Sequence, residues 1–214
     1  MNSIPKDEIL KIVLIGEASV GKTSIIYQFI DKVFQEDIQS TVGGTFNSKS
    51  FRCNNNKIIN LEIWDTAGQE RYRCVTKMFY KEANVAILVY DITSKATFDE
   101  LKNYWVEQVR EASPKDIILV IVANKSDLFE LEQVDEEEVR NYAKEINAEF
   151  FLTSAKDRCS IINLFKSIAK KISGADEVEM IEENEELMSF RKIRKESVMV
   201  TKESSSKKKK VRCC

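Results

Sequence analysis

The chain has 214 residues, 43% of them hydrophobic, and a net charge of -2 from 33 basic and 35 acidic side chains. That is enough for one good-sized globular domain with extra segments, and it gives no global field favouring nucleic acid. Histidine is absent, which excludes Ser–His triads, Cys–His nucleophiles and His-ligated zinc. Five cysteines without a CxxC pair and a polar start (MNSIPKDEIL) point to a reducing compartment, with Cys53, Cys74 and Cys159 as small packing residues. The longest apolar runs are far too short to span a bilayer.

Residues 9–15 (ILKIVLI) read as a buried strand that runs into Gly16. Residues 16–23 (GEASVGKT) fit GxxxxGK(S/T) in full, and residues 21–30 continue with helical spacing. Strand, glycine loop and helix together make a phosphate cradle, because backbone N–H groups and a helix N-terminus both face the anion. Gly16, Ala18, Ser19, Val20, Gly21 and Ser24 line it. Lys22 reaches the β- and γ-phosphates, and the Thr23 hydroxyl binds Mg²⁺.

Residues 45–52 and 57–64 read as a hairpin across the turn Asn54-Asn55-Asn56. At its end stand Asp65, placed to hold Mg²⁺, Gly68, whose N–H can meet a γ-phosphate, and Gln69, which can orient an attacking water. Residues 84–90, 117–123 and 149–152 are short apolar strands, with helical patterns at 97–112, 135–146 and 161–172 between and after them. Asn124-Lys125-Ser126-Asp127 follows the second of these strands. A carboxylate at Asp127 can accept from both guanine donors, a pair that adenine lacks. Lys125 can lie across the base and Asn124 can tie loops together. Ser154-Ala155-Lys156, after the last strand, can offer an N–H to the guanine oxygen, and Phe34 can stack on the base.

Strands alternating with helices predict an α/β domain, doubly wound, with about six mostly parallel strands, one antiparallel strand and helices on both faces. It spans residues 1–173. Residues 174–214 read as a flexible tail, acidic then basic, with a transient helix near 182–195.

GEASVGKT, WDTAGQE, NKSD and SAK stand in the order and spacing of the small Ras-like GTPases, with the P-loop NTPase fold, and the chain resembles the Rab family among them over residues 8–173. The resemblance implies Mg²⁺ and GTP or GDP as ligands, with Thr41 as a hydroxyl that meets Mg²⁺ beside Thr23 and Asp65. Lys22, Thr41 and Gln69 are then the catalytic set. Switch I falls at about 35–46 and switch II at about 67–77. Phe46, Trp64 and Phe79 match the aromatic triad that meets effectors, the third position departing from the usual tyrosine. Gly44 is a second departure, expected to loosen switch I.

The ending, KKKKVRCC, is not a CaaX box. It looks like the signal for geranylgeranylation of both Cys213 and Cys214. Two chains anchor stably where one does not, and Lys207 to Lys210 add attraction to anionic lipid. The family further implies an exchange factor, an activating protein, an escort protein, a GDP dissociation inhibitor and effectors. It implies a monomer that binds no nucleic acid and sits on the cytoplasmic face of an intracellular membrane, endosomal by the small residues after Gly43. Two rival readings stand beside it. A catalytically silent GTP-binding scaffold is opposed by the intact Gln69, and a nucleotide kinase by NKSD and the paired cysteines.

Overall fold

In the computed structural model, residues 7–55, 57–68 and 78–182 are described. Strand β1 (Glu8–Ile15) alternates its side chains between two faces, as a strand must. Leu10, Ile12 and Leu14 enter one core cluster, and Val13 and Ile15 the other. Helix α1 (Lys22–Ile30) follows. The hairpin is β2 (Gly44–Cys53) and β3 (Ile58–Thr66).

Beyond it come β4 (Val85–Asp91), α2 (Lys95–Glu100), a π-helical turn (Leu101–Trp105) and α3 (Val106–Ala112). The chain then forms β5 (Ile118–Asn124), a 3₁₀ segment (Ser126–Leu131) and α4 (Glu136–Glu145). It closes with β6 (Glu149–Leu152), α5 (Arg158–Ser173) and β7 (Val178–Met180). Helix α5 starts where the Asp157 side chain accepts from the N–H groups of Cys159 and Ser160, and ends at Gly174 with φ of 65°.

The sheet order is β6-β5-β4-β1-β3-β2-β7. β1 is parallel to β3 and β4, β4 to β5, and β5 to β6, while β2 is antiparallel to β3 and β7. The parallel strands thus bring the ends of β1, β3, β4, β5 and β6 to one edge, where open α/β sheets bind ligands. Helices α1 and α5 cover one face, with Phe29 stacked on Phe165 at 3.9 Å between ring centroids. Burying a side chain like Phe29 stabilises by roughly 2–3 kcal/mol. Helices α2, α3 and α4 cover the other face.

Among the described residues seven strands stand where about six are expected. The seventh pairs Val178 with Cys53 and Met180 with Phe51, so the compact unit runs to Met180, past the expected boundary at 173. The first acidic residues of the expected tail are therefore folded: the Glu177 carbonyl accepts from the Asn54 N–H. Residues 181–214 are a second unit, of which Ile181 and Glu182 are described. The transient helix, Cys213 and Cys214 lie outside the described residues. Cys53 is buried as expected, but Cys159 is exposed at the start of α5, so its packing role fails. Cys74 lies outside the described residues. No described helix is long and apolar enough to cross a membrane.

Candidate functional site

A cavity of about 410 Å³ opens at the edge where the parallel strands end, lined from the phosphate loop to the 154–156 loop. Ala18, Ser19, Gly21, Lys22, Thr23, Ser24, Phe34, Thr41, Gly68, Asn124, Lys125, Asp127, Ala155 and Lys156 line it. Gly16, Val20 and Ser154 do not; they are buried behind it, so Gly16 and Val20 can serve a ligand only through backbone.

At one end Lys22 is 6% exposed. Its ammonium donates to the carbonyls of Gly16 at 2.8 Å and Glu17 at 2.7 Å. An ammonium has three N–H bonds, so one remains for a phosphate oxygen. Burial pushes the Lys22 pKa down to about 8, against the pull of the Asp65 and Glu17 carboxylates. Gly21 has φ of 97°, and a Cβ there would sit 2.3 Å from Asn124 Nδ2. Only glycine lets the loop pass so close to β5.

Below the loop three oxygens converge. The Thr23 hydroxyl donates to Asp65 Oδ2 at 2.6 Å and lies 2.8 Å from the Thr41 hydroxyl. Thr41 is 3.4 Å from the same carboxylate oxygen. The other, Asp65 Oδ1, is buried without a hydrogen-bond partner. Burial raises the Asp65 pKa, with Thr23, Lys22 and Thr41 opposing. An orphaned carboxylate oxygen beside two hydroxyls suits a hard cation such as Mg²⁺, which takes few protein ligands and completes its shell from phosphate and water. Among the described residues no cluster of three or more Asp, Glu, Cys or His side chains could hold a metal.

At the other end Asn124 is 1% exposed. Its amide N–H donates to the Val20 carbonyl at 2.8 Å, and its oxygen accepts from the Thr153 hydroxyl at 3.2 Å. One side chain thus joins the phosphate loop, β5 and the loop after β6. Asp127 Oδ1 accepts from the Ser154 hydroxyl at 2.6 Å, and Lys156 Nζ stands 3.2 Å from Oδ2. Burial pushes the Asp127 carboxyl up, but those two hydrogen bonds, a backbone hydrogen bond and the Lys156 charge together hold it below its ordinary range. Lys156 also stands 5.6 Å over the Phe34 ring.

Three supports escaped the sequence reading. Asp91, at the end of β4, pairs with Lys125 Nζ at 2.5 Å and fixes the lysine in the cavity wall. Gln28 of α1 donates to the Ala155 carbonyl at 2.8 Å, and Thr153 holds Asn124. Asp91 was findable, since it ends a parallel strand as Asp65 does. Gln69 lies outside the described residues, as does switch II from 69 to 77.

Phe46, Trp64 and Phe79 do come together, with ring centroids 5.2 Å and 5.4 Å apart. Gly44 joins them. It opens β2, paired with Thr66, and a Cβ there would lie 2.6 Å from the tip of the Phe79 ring. The expected loosening is therefore replaced by a packing role: the bare Cα seats Phe79, and from Gly44 onward the supposed switch segment is strand. Gly44→Ala is expected to cost about 1 kcal/mol more in denaturant unfolding when Phe79 is present than in a Phe79→Ala background. Equal costs in both backgrounds would mean that the ring does not need that space.

A profile of the Ras family matches residues 11–174. Over 167 residues the chain is 41% identical to Ras-related protein Rab-22A of Homo sapiens, a match covering 78% of this chain and 85% of that protein. It is 38% identical over 181 residues to GTP-binding protein ypt5 of Schizosaccharomyces pombe, covering 83% and 85%. Identity to Ras-related protein Rab-31 of Homo sapiens is 38% over 167 residues, covering 78% and 85%.

Proposed function

The chain belongs to the Ras family, on its Rab branch, and from that premise we propose that it is a switch that binds GTP or GDP and governs vesicle traffic at an endosomal membrane. One observation carries the reading. A single cavity has the buried Lys22 and, farther along, Asp127 and Lys156 in its wall, with Ser154 bracing Asp127 from behind and Asn124 tying the phosphate loop to β5 and the loop after β6. That is a phosphate site and a guanine site at the two ends of one nucleotide.

Thr23, Thr41 and Asp65 would hold Mg²⁺, which when bound neutralises charge on the phosphates. Lys22 donates to the phosphates. Gly68 offers its N–H to the γ-phosphate, and Gln69 orients the water that attacks it. Loss of the γ-phosphate frees Thr41 and Gly68, and with them both switch segments. Unaided hydrolysis is on the order of 10⁻⁴ to 10⁻³ s⁻¹, the range of Ras itself. An activating protein accelerates it, an exchange factor reloads GTP, and effectors read Phe46, Trp64 and Phe79. Geranylgeranyl groups on Cys213 and Cys214 hold the chain to the membrane, and an escort protein and a GDP dissociation inhibitor cover them in transit.

Fractionation of cells expressing tagged chain tests the whole cycle. Gln69→Leu is expected to move the protein at least about threefold toward endosomal membranes relative to wild type, since a GTP-locked switch is not extracted. The same variant without Cys213 and Cys214 should be soluble. Equal membrane fractions for all three chains would sink the lipid-anchored switch.

A further inference from the structure

The helical stretch after β4 does not run straight. Residues Leu101–Trp105 form a π turn, closed by the Val106 N–H on the Leu101 carbonyl. Such a turn holds one residue more than an α turn, and these turns concentrate at functional sites. In an unbroken α-helix the inward positions after Leu101 would fall three and four residues on, at Tyr104 and Trp105. Here they fall on Trp105 and Val106, which are 1% and 4% exposed. The extra residue keeps Trp105 inward and puts Val106, in place of Tyr104, beside it in the buried stripe; Trp105 meets the phosphate loop. There its indole N–H donates to Glu17 Oε1 at 3.0 Å.

Glu17 is the second residue of GEASVGKT and faces two ways. Its carbonyl accepts from Lys22 Nζ at 2.7 Å, and a Cβ on Gly68 would come within 2.5 Å of that same carbonyl oxygen. Its backbone therefore touches both the lysine and the loop that closes the phosphate end. Its side chain does not line the cavity; it reaches the helix instead. A carboxylate is a poor neighbour for phosphates, because like charges repel strongly in a partly desolvated site. A loop that carries one must hold it turned away.

We propose that Trp105 is a positioning residue of the nucleotide site: its indole N–H, at the end of the π turn, holds the Glu17 carboxylate away from the phosphates. The inference rests on the guanine-nucleotide reading above. It makes the α2–α3 face a second point from which nucleotide release is set.

The test is release of a fluorescent GDP analogue from the full chain, in wild type, Trp105→Phe, Glu17→Ala and the double variant. Phenylalanine keeps a ring in the core and removes only the donor and part of the bulk. Trp105→Phe is expected to speed release about tenfold, the worth of one hydrogen bond to a charged group. In the Glu17→Ala background the same substitution is expected to change release less than about twofold, since no carboxylate remains to restrain. Equal acceleration in both backgrounds, or none in either, would overturn the proposal, because packing alone does not depend on Glu17. The ¹⁵N resonance of the Trp105 indole gives a second reading without a core substitution. It should shift in Glu17→Ala while that of Trp64 stays, and an unmoved Trp105 signal would overturn the contact. A wild-type chain that binds no guanine nucleotide would overturn the functional reading and this inference together. A chain that binds GDP but fails the cycle would overturn this inference alone.

Discussion

Lys22→Met is expected to weaken guanine-nucleotide binding by about 30- to 5000-fold while leaving the nucleotide-free fold as stable as before, or more so. The two effects separate because Lys22 is buried at a cost. Burial pushes its pKa down to about 8, yet at neutral pH the ammonium is still charged. It is a desolvated cation held by the carbonyls of Gly16 and Glu17 and by the field of Asp65. Methionine matches the stem in volume and needs no hydration. The fold loses two hydrogen bonds and the attraction between Lys22 and Asp65, and the relief of a desolvated cation offsets these losses. A bound nucleotide has no such relief. Its phosphates lose the cation they face, and removing one partner of a buried charge pair costs about 2–5 kcal/mol, which is the stated range in affinity. Calorimetric titration with GDP and thermal melting of the nucleotide-free protein give the two numbers. A melting temperature that falls in step with affinity would mean that Lys22 holds the loop together and is not chiefly a phosphate ligand.

Lys22 stands out in the sequence for reasons of local chemistry. The phosphate cradle, the Asp65 carboxylate and the Asn124–Asp127 loop each sit within a few residues of a strand end. A β-rich apolar run predicts its own end, and a parallel sheet brings those ends to one edge. Features set by long-range contact were not legible in the same way. The three residues of β7 lie in an acidic run with little apolar pattern, and they are strand because β2 offers them an unpaired edge. The π turn is equally hidden. Phe98, Leu101, Trp105 and Val109 are all buried, at spacings that suit an α-helix and a bulged one alike. Gly44 misled for another reason. Its conformational freedom is visible in the sequence, whereas the Phe79 ring that fills its missing side chain comes from a segment far along the chain. Asp91 is masked in the sequence by its partner, because Lys125 already carries a candidate role within the NKSD run.

Asp127→Asn is expected to reverse the choice of base, lowering GDP affinity roughly 10³- to 10⁵-fold and making xanthosine diphosphate the better ligand. Asp127 is ionised well within the neutral range, since Ser154 and Lys156 hold its carboxyl low against burial. A carboxylate offers only acceptors, which matches the two donors on guanine. An amide offers one acceptor and one donor, which matches xanthine, whose amino group is replaced by a carbonyl. The surroundings fix how the new amide lies. Lys156 Nζ can only donate, and it stands 3.2 Å from Oδ2, so the amide oxygen must face it. Ser154 can donate or accept, so it can take the amide N–H where it now gives its own proton to Oδ1. The variant site is therefore satisfied without rearrangement, and its folding stability should be close to that of wild type. Ser154→Ala separates positioning from recognition. It removes the brace but leaves the acceptor pair, so it should weaken both bases alike by about tenfold and preserve the preference for guanine. Competition of GDP and xanthosine diphosphate for each variant reads this directly. If Asp127→Asn still prefers GDP, the base is recognised elsewhere in the cavity. If Ser154→Ala changes the preference, then the hydroxyl, and not the carboxylate it braces, is what distinguishes one base from another.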